Sequence, residues 1–223
     1  MKAIITDKKV VVVGLGKTGL SCVRYLHAQG KQIIVMDTRA APPSLIDLTK
    51  EYPHIQCILG CLDEQILCAA DEIILSPGVA LSTPEIKAAV NQQVLVRGDI
   101  DLFSEAAKAP IIGITGSNGK STVTTLLGDM AKKAGLNVGV GGNLGIPALE
   151  MLDDTKDLYI IELSSFQLET THKLNAASVV LLNLSEDHMD RYTSKLAYLQ
   201  AKQRIFRGAK TIIVNDDEAL SSP

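Results

Sequence analysis

Residues 111–122 read Ile-Ile-Gly-Ile-Thr-Gly-Ser-Asn-Gly-Lys-Ser-Thr, and no other stretch limits so tightly what the chain can fold into. The order is an apolar run, a tight glycine turn and a helix start, the strand–loop–helix unit of an α/β layer structure. Backbone N–H groups in such a turn point at a common centre, Lys120 adds a mobile positive charge, and the helix behind them contributes the positive end of its dipole. That combination is a cradle for nucleotide phosphates. The Ser121 hydroxyl sits where a phosphate-binding loop hands an oxygen to Mg²⁺. The strict pattern asks for glycine five positions before Gly119, where this chain has Ile114, so the match is to Gly-Lys-Ser with a variant loop. The bland alternative is a glycine turn between strand and helix with no ligand.

The same alternation continues to the end of the chain. A helix over 120–134 stops at Gly135, and 137–140 is a short strand leading to a second glycine turn, Gly141 to Gly145. Apolar runs at 158–163, 178–184 and 211–215 read as further strands. In parallel order these place their loops at one carboxyl edge, where ligands of open α/β sheets gather. Glu162 nears the end of its strand, where an acid in phosphate-loop enzymes holds Mg²⁺ or its water; an exposed strand-end acid is the alternative. His188, in the acidic loop Ser-Glu-Asp-His-Met-Asp-Arg, has the surroundings of a metal ligand and equally those of a surface residue. Projected as a helix, 195–206 puts Leu196, Tyr198, Leu199, Ile205 and Phe206 on one side, with Lys202 in the middle of that apolar face. Such a lysine either snorkels to solvent or faces the ligand edge for a chemical reason.

The first third carries a different fingerprint. Lys9 to Val13 is a β-branched run, followed by Gly14-Leu15-Gly16-Lys17-Thr18-Gly19, an amphipathic helix, Gly30, a second strand at 32–36 and Asp37. Strand, GxGxxG, helix, strand and acid form a dinucleotide-binding pattern, in which the acid can accept a hydrogen bond from a ribose hydroxyl. A nicotinamide-linked oxidoreductase or an NAD-sensing module is therefore one reading. No residue set suited to hydride transfer follows, and the turns at Thr38-Arg39 and Ser76-Pro77-Gly78 suit a pyrophosphate or a uridine equally well. The sequence predicts a nucleotide-like ligand near Gly14, Gly16, Thr18, Asp37, Thr38, Arg39 and Gly78, with glycines serving only helix packing as the alternative. Proline at 110 directly before a fresh β run marks a boundary, so we expect a Rossmann-like unit over 1–98 and a phosphate-loop α/β unit with a mainly parallel sheet over 99–223.

Bulk properties remove several function classes. A net charge of −3 provides no basic surplus for nucleic acid, and with no Trp and 4% aromatics there is little from which to build a base-stacking platform. No apolar run approaches the ~18 residues of a membrane span, and the first residues lack an apolar targeting segment, so the expected location is the cytoplasm. The four cysteines, at 22, 57, 61 and 68, do not follow paired zinc spacings and read as free thiols.

Taken together, GSNGKSTVTTL, GVGGNLGIPAL, LYIIELSSFQLETT and LNLSEDHMDRY, with GLGKTGLSC, VMDTR, LSPGVA and GDIDLF in the first third, resemble the Mur ligase family of bacterial peptidoglycan synthesis. The family's loop also reads Thr-Gly-Ser/Thr-Asn-Gly-Lys, which accounts for Ile114. The resemblance implies that ATP phosphorylates the carboxylate of UDP-N-acetylmuramoyl-L-alanine and that the amine of D-glutamate attacks the acyl phosphate to form an amide. It assigns Gly116, Ser117, Asn118, Gly119, Lys120, Ser121 and Thr122 to ATP, with catalytic roles for Lys120, Glu162, His188 and Lys202. Two Mg²⁺ sites would draw on Ser121, Glu162, His188 and Lys202, the last as an N-carbamate. Asn143 and Ser164 would contact the muramoyl-alanine part, and Lys17, Thr18, Asp37, Thr38, Arg39 and Gly78 the UDP part. A monomer that binds neither nucleic acid nor membrane is implied. Family members continue for roughly as many residues again, so the resemblance also implies that these 223 residues bind the UDP substrate without completing turnover. A phosphate-loop ATPase or kinase with another acceptor is the remaining alternative.

Overall fold

The structure, a computed structural model, describes residues 6–185, 187, 190–192 and 194–223. The chain divides into two compact units, one reaching Asp99 and the other beginning at Ile100.

The first unit alternates strand and helix throughout: β1 (Thr6–Val13), α1 (Lys17–Ala28), β2 (Lys31–Asp37), α2 (Leu45–Glu51), β3 (Gln56–Leu59), α3 (Glu64–Cys68), β4 (Glu72–Leu75), α4 (Pro84–Asn91) and β5 (Leu95–Arg97). Its five strands are all parallel in the order β3-β2-β1-β4-β5. The order reverses direction at β1, so the switch point lies between the carboxyl ends of β1 and β4, the place where such sheets hold ligands. Central strands covered on both faces need near-continuous apolar side chains, which explains the β-branched run of β1. Val11, Val13, Met36, Ile73 and Leu75 are buried there against Leu67, Ile86 and Ala89 from the flanking helices. Close approach of α1 depends on Gly19, where a Cβ would stand 1.9 Å from the Gly14 carbonyl oxygen.

After α5 (Asp99–Ala106), the second unit runs β6 (Ile111–Thr115), α6 (Lys120–Lys133), β7 (Val138–Gly142), β8 (Leu158–Glu162), α7 (Ser165–Glu169), β9 (Ser178–Leu181), α8 (Lys195–Gln203) and β10 (Thr211–Ile213). Short 3₁₀ turns occur at Ala148–Met151, Arg204–Phe206 and Ala219–Ser221. The sheet is again fully parallel, in the order β10-β9-β6-β8-β7. The phosphate-loop strand β6 is therefore central, and the ends of β8 and β9 flank its loop. The expected α/β class with parallel sheets is what forms.

Four elements were not anticipated, and the expectations for 137–140, 178–184 and 195–206 needed correction. The edge strand β3 and the short helices α2, α3 and α4 carry too few apolar positions to stand out by periodicity. Strand β7 runs on through Gly141 and Gly142. Strand β9 ends at Leu181, three residues before the apolar run does. In α8 the α-helix gives way to a 3₁₀ turn at Arg204, and Leu196 points to solvent. Among the described residues, no helix is long and apolar enough to cross a membrane, and the four cysteines are unpaired.

Candidate functional site

In the second unit the phosphate loop is anchored at its root by Thr115, whose hydroxyl donates to the Leu163 carbonyl at 2.7 Å. Gly119 then takes a left-handed backbone (φ +78°) and serves as N-cap of α6 with no side-chain cap. A residue with a Cβ resists that conformation, and the turn aims the first amides of α6 outward without an intrahelical acceptor. Those amides, from residues 119–122, are what a phosphate would meet, at the positive end of a 14-residue helix. Lys120 folds back over the loop and donates to the Ser117 carbonyl at 3.0 Å. The expected phosphate-binding run began earlier, at Gly116. Two of its members are committed elsewhere: Ser117 N donates to the Asn183 carbonyl (3.0 Å) and Asn118 N to Asn183 Oδ1 (2.9 Å). Ser117 and Asn118 therefore shape the loop, and their amides are not offered to a ligand.

Glu162 is only 2% exposed at the end of β8, and both of its oxygens are engaged. Ser121 Oγ donates to Oε2 at 2.7 Å, and Asn143 Nδ2 to Oε1 at 2.7 Å. Asn143 reaches this place because Gly142 (φ +101°) brings the end of β7 against β8, where a Cβ would lie 2.5 Å from the Glu162 carbonyl oxygen. The Asn143 amide also donates to that carbonyl at 2.9 Å. Ser121, Asn143 and Glu162, far apart in sequence, thus meet in one spot. Both donors to Glu162 are neutral, and no cationic nitrogen lies within ion-pair distance of it among the described residues. A buried carboxylate held only by neutral hydrogen-bond donors, one of them a hydroxyl, fits a divalent cation. Among the described residues no group of three or more His, Cys, Asp or Glu gathers to hold a metal. The expected ligand His188 lies outside the described residues. Ser164, at the other side of the β8 end, is the N-cap of α7; its Oγ accepts from Gln167 N at 3.1 Å in a capping box.

Lys202 does not snorkel. It is 2% exposed, with Nζ donating to the Gly116 carbonyl at 2.8 Å and lying 3.5 Å from Thr115 Oγ1. The Tyr198 ring sits 4.9 Å from the amine, and the Tyr198 hydroxyl is 3.1 Å from Ser117 Oγ. Burial, and then the charge of Lys120, lower its pKa to about 7, against the opposing pull of Asp187 and Glu162. Near neutral pH a large share of this amine carries a lone pair.

The first unit gathers its own set at the carboxyl edges of β1, β2 and β4. Gly14 (φ +93°) accepts from Ser76 Oγ at 2.7 Å, tying the glycine loop to β4. Gly16 is different: its φ is −93°, which any residue can adopt, and a Cβ there would meet nothing within 4 Å. Neither backbone nor packing asks for glycine at 16, so the open space in front of the first amides of α1 is room for a ligand. Lys17, Thr18, Thr38 and Gly78 line the same edge and are exposed or partly so. Asp37 departs from the role expected in a dinucleotide fold. Its four acceptor positions are filled by Leu15 N (2.7 Å), Arg39 N (2.9 Å), Arg39 Nε (2.8 Å) and Arg39 Nη2 (2.6 Å). Burial works against its charge, but the bonds from Arg39 and Leu15 outweigh burial and lower its pKa to about 2. The carboxylate braces the glycine loop and aims the half-exposed Arg39 at the ligand edge, leaving no lone pair for a ribose.

Sequence reasoning did not single out Asn183, and it named Ser76, Ser185 and Tyr198 only as members of a turn, an acidic loop and an apolar helix face, without the contacts they make. All four act across 60 residues or more. The one available signal was a polar Asn inside an otherwise apolar run.

Comparison with known proteins places these two edges in context. The profile for "Mur ligase MurD-like, N-terminal domain" matches residues 8–98, and that for "Mur ligase middle domain" matches 114–222. Over all 223 residues the chain is 56% identical to the UDP-N-acetylmuramoylalanine--D-glutamate ligase of Marinobacter nauticus and 55% identical to that of Pseudomonas syringae pv. syringae. It spans about half the length of the curated relatives it matches, 50% in both cases. Among solved structures it resembles the UDP-N-acetylmuramate:L-alanyl-gamma-D-glutamyl-meso-diaminopimelate ligase of Neisseria meningitides (TM-score 0.60, 19% identity, 96% of this chain and 73% of that one). It also resembles UDP-N-acetylmuramate-alanine ligase MurC of Thermotoga maritima (TM-score 0.57, 21% identity, 96% and 50%), and at these identities both likenesses speak to fold alone.

Proposed function

The chain belongs to the Mur ligase family, and from that membership we propose that it serves the ATP-dependent joining of D-glutamate to UDP-N-acetylmuramoyl-L-alanine in peptidoglycan synthesis. The observation that carries this reading is the convergence of Ser121, Asn143 and buried Glu162 at the mouth of the phosphate loop. In this reading residues 1–98 hold the UDP substrate and 99–223 form part of the ATP unit, in a cytoplasmic monomer.

A carboxylate is a poor acylating agent, so the reaction transfers the γ-phosphoryl group of ATP to a carboxylate oxygen of the alanyl group, releasing ADP. The amine of D-glutamate then attacks the acyl carbon, and phosphate leaves as the amide forms. The amides of residues 119–122 and the Lys120 ammonium bind and orient the phosphates. Ser121 and Glu162 would hold one Mg²⁺, whose chemistry is to neutralise phosphate charge and fix the oxygens for in-line transfer. A second would use His188 and Lys202. The neutral Lys202 amine can add CO₂ and lose a proton to become a carbamate, exchanging a cation for an anionic ligand. Asn143 and Ser164 are assigned to the muramoyl-alanine part, and Lys17, Thr18, Thr38, Arg39 and Gly78 to the UDP part, with Asp37 acting through Arg39.

Titration calorimetry with UDP-N-acetylmuramoyl-L-alanine tests the assignment. Saturable binding is expected, with no uptake of NADH. Binding of NADH without any response to the UDP substrate would overturn the proposal in favour of a nicotinamide-linked protein.

A further inference from the structure

After β9 has ended, residues 182–185 keep running beside the phosphate loop. Leu182 N donates to the Thr115 carbonyl (2.9 Å) and Ser117 N to the Asn183 carbonyl (3.0 Å), which extends the β6/β9 pairing by two bonds. At Asn118 a side chain takes over from the backbone. Asn183 Oδ1 accepts from Asn118 N (2.9 Å) and Asn183 Nδ2 donates to the Asn118 carbonyl (3.0 Å), so the carboxamide closes a two-bond ring on the loop, as a peptide group of a neighbouring strand would. Ser185 secures the next step. Its Oγ accepts from Asn118 Nδ2 (3.1 Å), and its backbone exchanges two 3.0 Å bonds with Ser117 Oγ.

None of these groups faces a phosphate, because the clamp consumes the amides of Ser117 and Asn118. It holds them still directly before the left-handed turn at Gly119, and that turn sets where the α6 amides point. We infer that Asn183 is a positioning residue that locks the phosphate loop in its nucleotide-ready shape before nucleotide arrives. This rests on residues 119–122 being the phosphate cradle. A loop ordered in advance spares the ligand the cost of ordering it. Removing two bonds should transfer that cost to binding, at about tenfold in affinity.

The test compares wild type with Asn183→Ala, reading calorimetric affinity for Mg-tripolyphosphate and MgATP together with hydrogen exchange of residues 115–122. Binding of UDP, whose contacts are assigned to first-unit residues alone, is the internal control. The expected result is affinity for both phosphates about tenfold weaker, faster loop exchange without ligand, wild-type exchange at saturation, and unchanged binding of UDP. Asn183→Ser, at the same partly exposed position, should behave alike and serves if the alanine variant does not fold. Unchanged affinity and exchange would overturn the inference. So would exchange that stays fast at saturation, or a parallel loss of UDP binding, since either marks a merely structural role. Failure of the wild type to bind both phosphates would refute the cradle itself, and the inference with it.

Discussion

Gly16 and Gly19 stand three residues apart in one motif, yet alanine at each should fail in opposite ways. At Gly19 the added Cβ would lie 1.9 Å from the Gly14 carbonyl oxygen, 3.0 Å from its carbon and 3.1 Å from Ser76 Oγ. An unstrained C···O contact is about 3.3 Å, so α1 would have to retreat by about 1.4 Å from backbone that is itself held by the Ser76 bond. Overpacking of this kind costs about 1–3 kcal/mol, and a backbone obstacle puts the cost near the upper end. At about 4–8 °C per kcal/mol for a unit of this size, Gly19→Ala should lower the melting temperature of the first unit by about 12–24 °C. At Gly16 nothing lies within 4 Å and φ is −93°. Gly16→Ala should therefore cost no more than about 1 kcal/mol, through the weaker N-cap. Its methyl would instead occupy the space in front of α1, weakening binding of the UDP substrate by roughly tenfold or more. Differential scanning calorimetry and titration calorimetry on the two variants separate these effects. Wild-type binding by Gly16→Ala, or a Gly19→Ala transition within about 3 °C of wild type, would refute the division of the motif into a packing glycine and a ligand glycine.

Four further outcomes are expected. The Asp37 pKa lies below its ordinary value, so its contribution to stability is complete above about pH 4 and is lost as pH falls towards about 2. With Arg39 half exposed this amounts to about 1–2 kcal/mol, and acid unfolding of Asp37→Asn should lack that part of the slope. For Lys202 the slope has the same sign in a higher window: a folded value of about 7, below the unfolded one, means that the unfolded chain binds more protons between about pH 7 and 10.5. Wild-type stability should climb relative to that of Lys202→Met through that window, as denaturant titrations of both at several pH values would show. In a ligase of the relatives' full length, activity lost in Lys202→Ala should return in part with a short carboxylic acid. Glu162→Gln should melt within a few degrees of wild type but lose at least about tenfold of any Mg²⁺-dependent gain in nucleotide affinity, measured by titration with and without the metal.

Much of the architecture was legible because buried parallel strands announce themselves. The β-branched run of β1, the apolar stretch ending in Glu162 and the Gly-Lys-Ser turn each carry their environment in local composition. Strand β3 escaped because its four residues sit at a sheet edge, and α2 to α4 because five to eight residues hold too few turns to show a period. Lys202 drew attention as a charge on an apolar face, yet whether it reaches solvent depends on Gly116, 86 residues away. Asn183 shows the harder limit. Inside Leu-Leu-Asn-Leu it reads as a strand position, and only the folded chain reveals that its side chain replaces a strand's backbone. Asp37 was found for its position and misjudged in its job, because the donors that fill it include a guanidinium two residues on that no fingerprint mentions.

The saturated carboxylate of Asp37 has a consequence for redesign. In a dehydrogenase the acid at this position is a reading head, and exchanging it retunes the preference for one cofactor over another. Here the same exchange would loosen Leu15 and unseat Arg39 together, so the loop would lose its shape before it acquired a new taste. Ligand choice on this scaffold is more open to change at Thr38 and Gly78, which are exposed at the same edge, a Cβ at 78 meeting nothing within 4 Å.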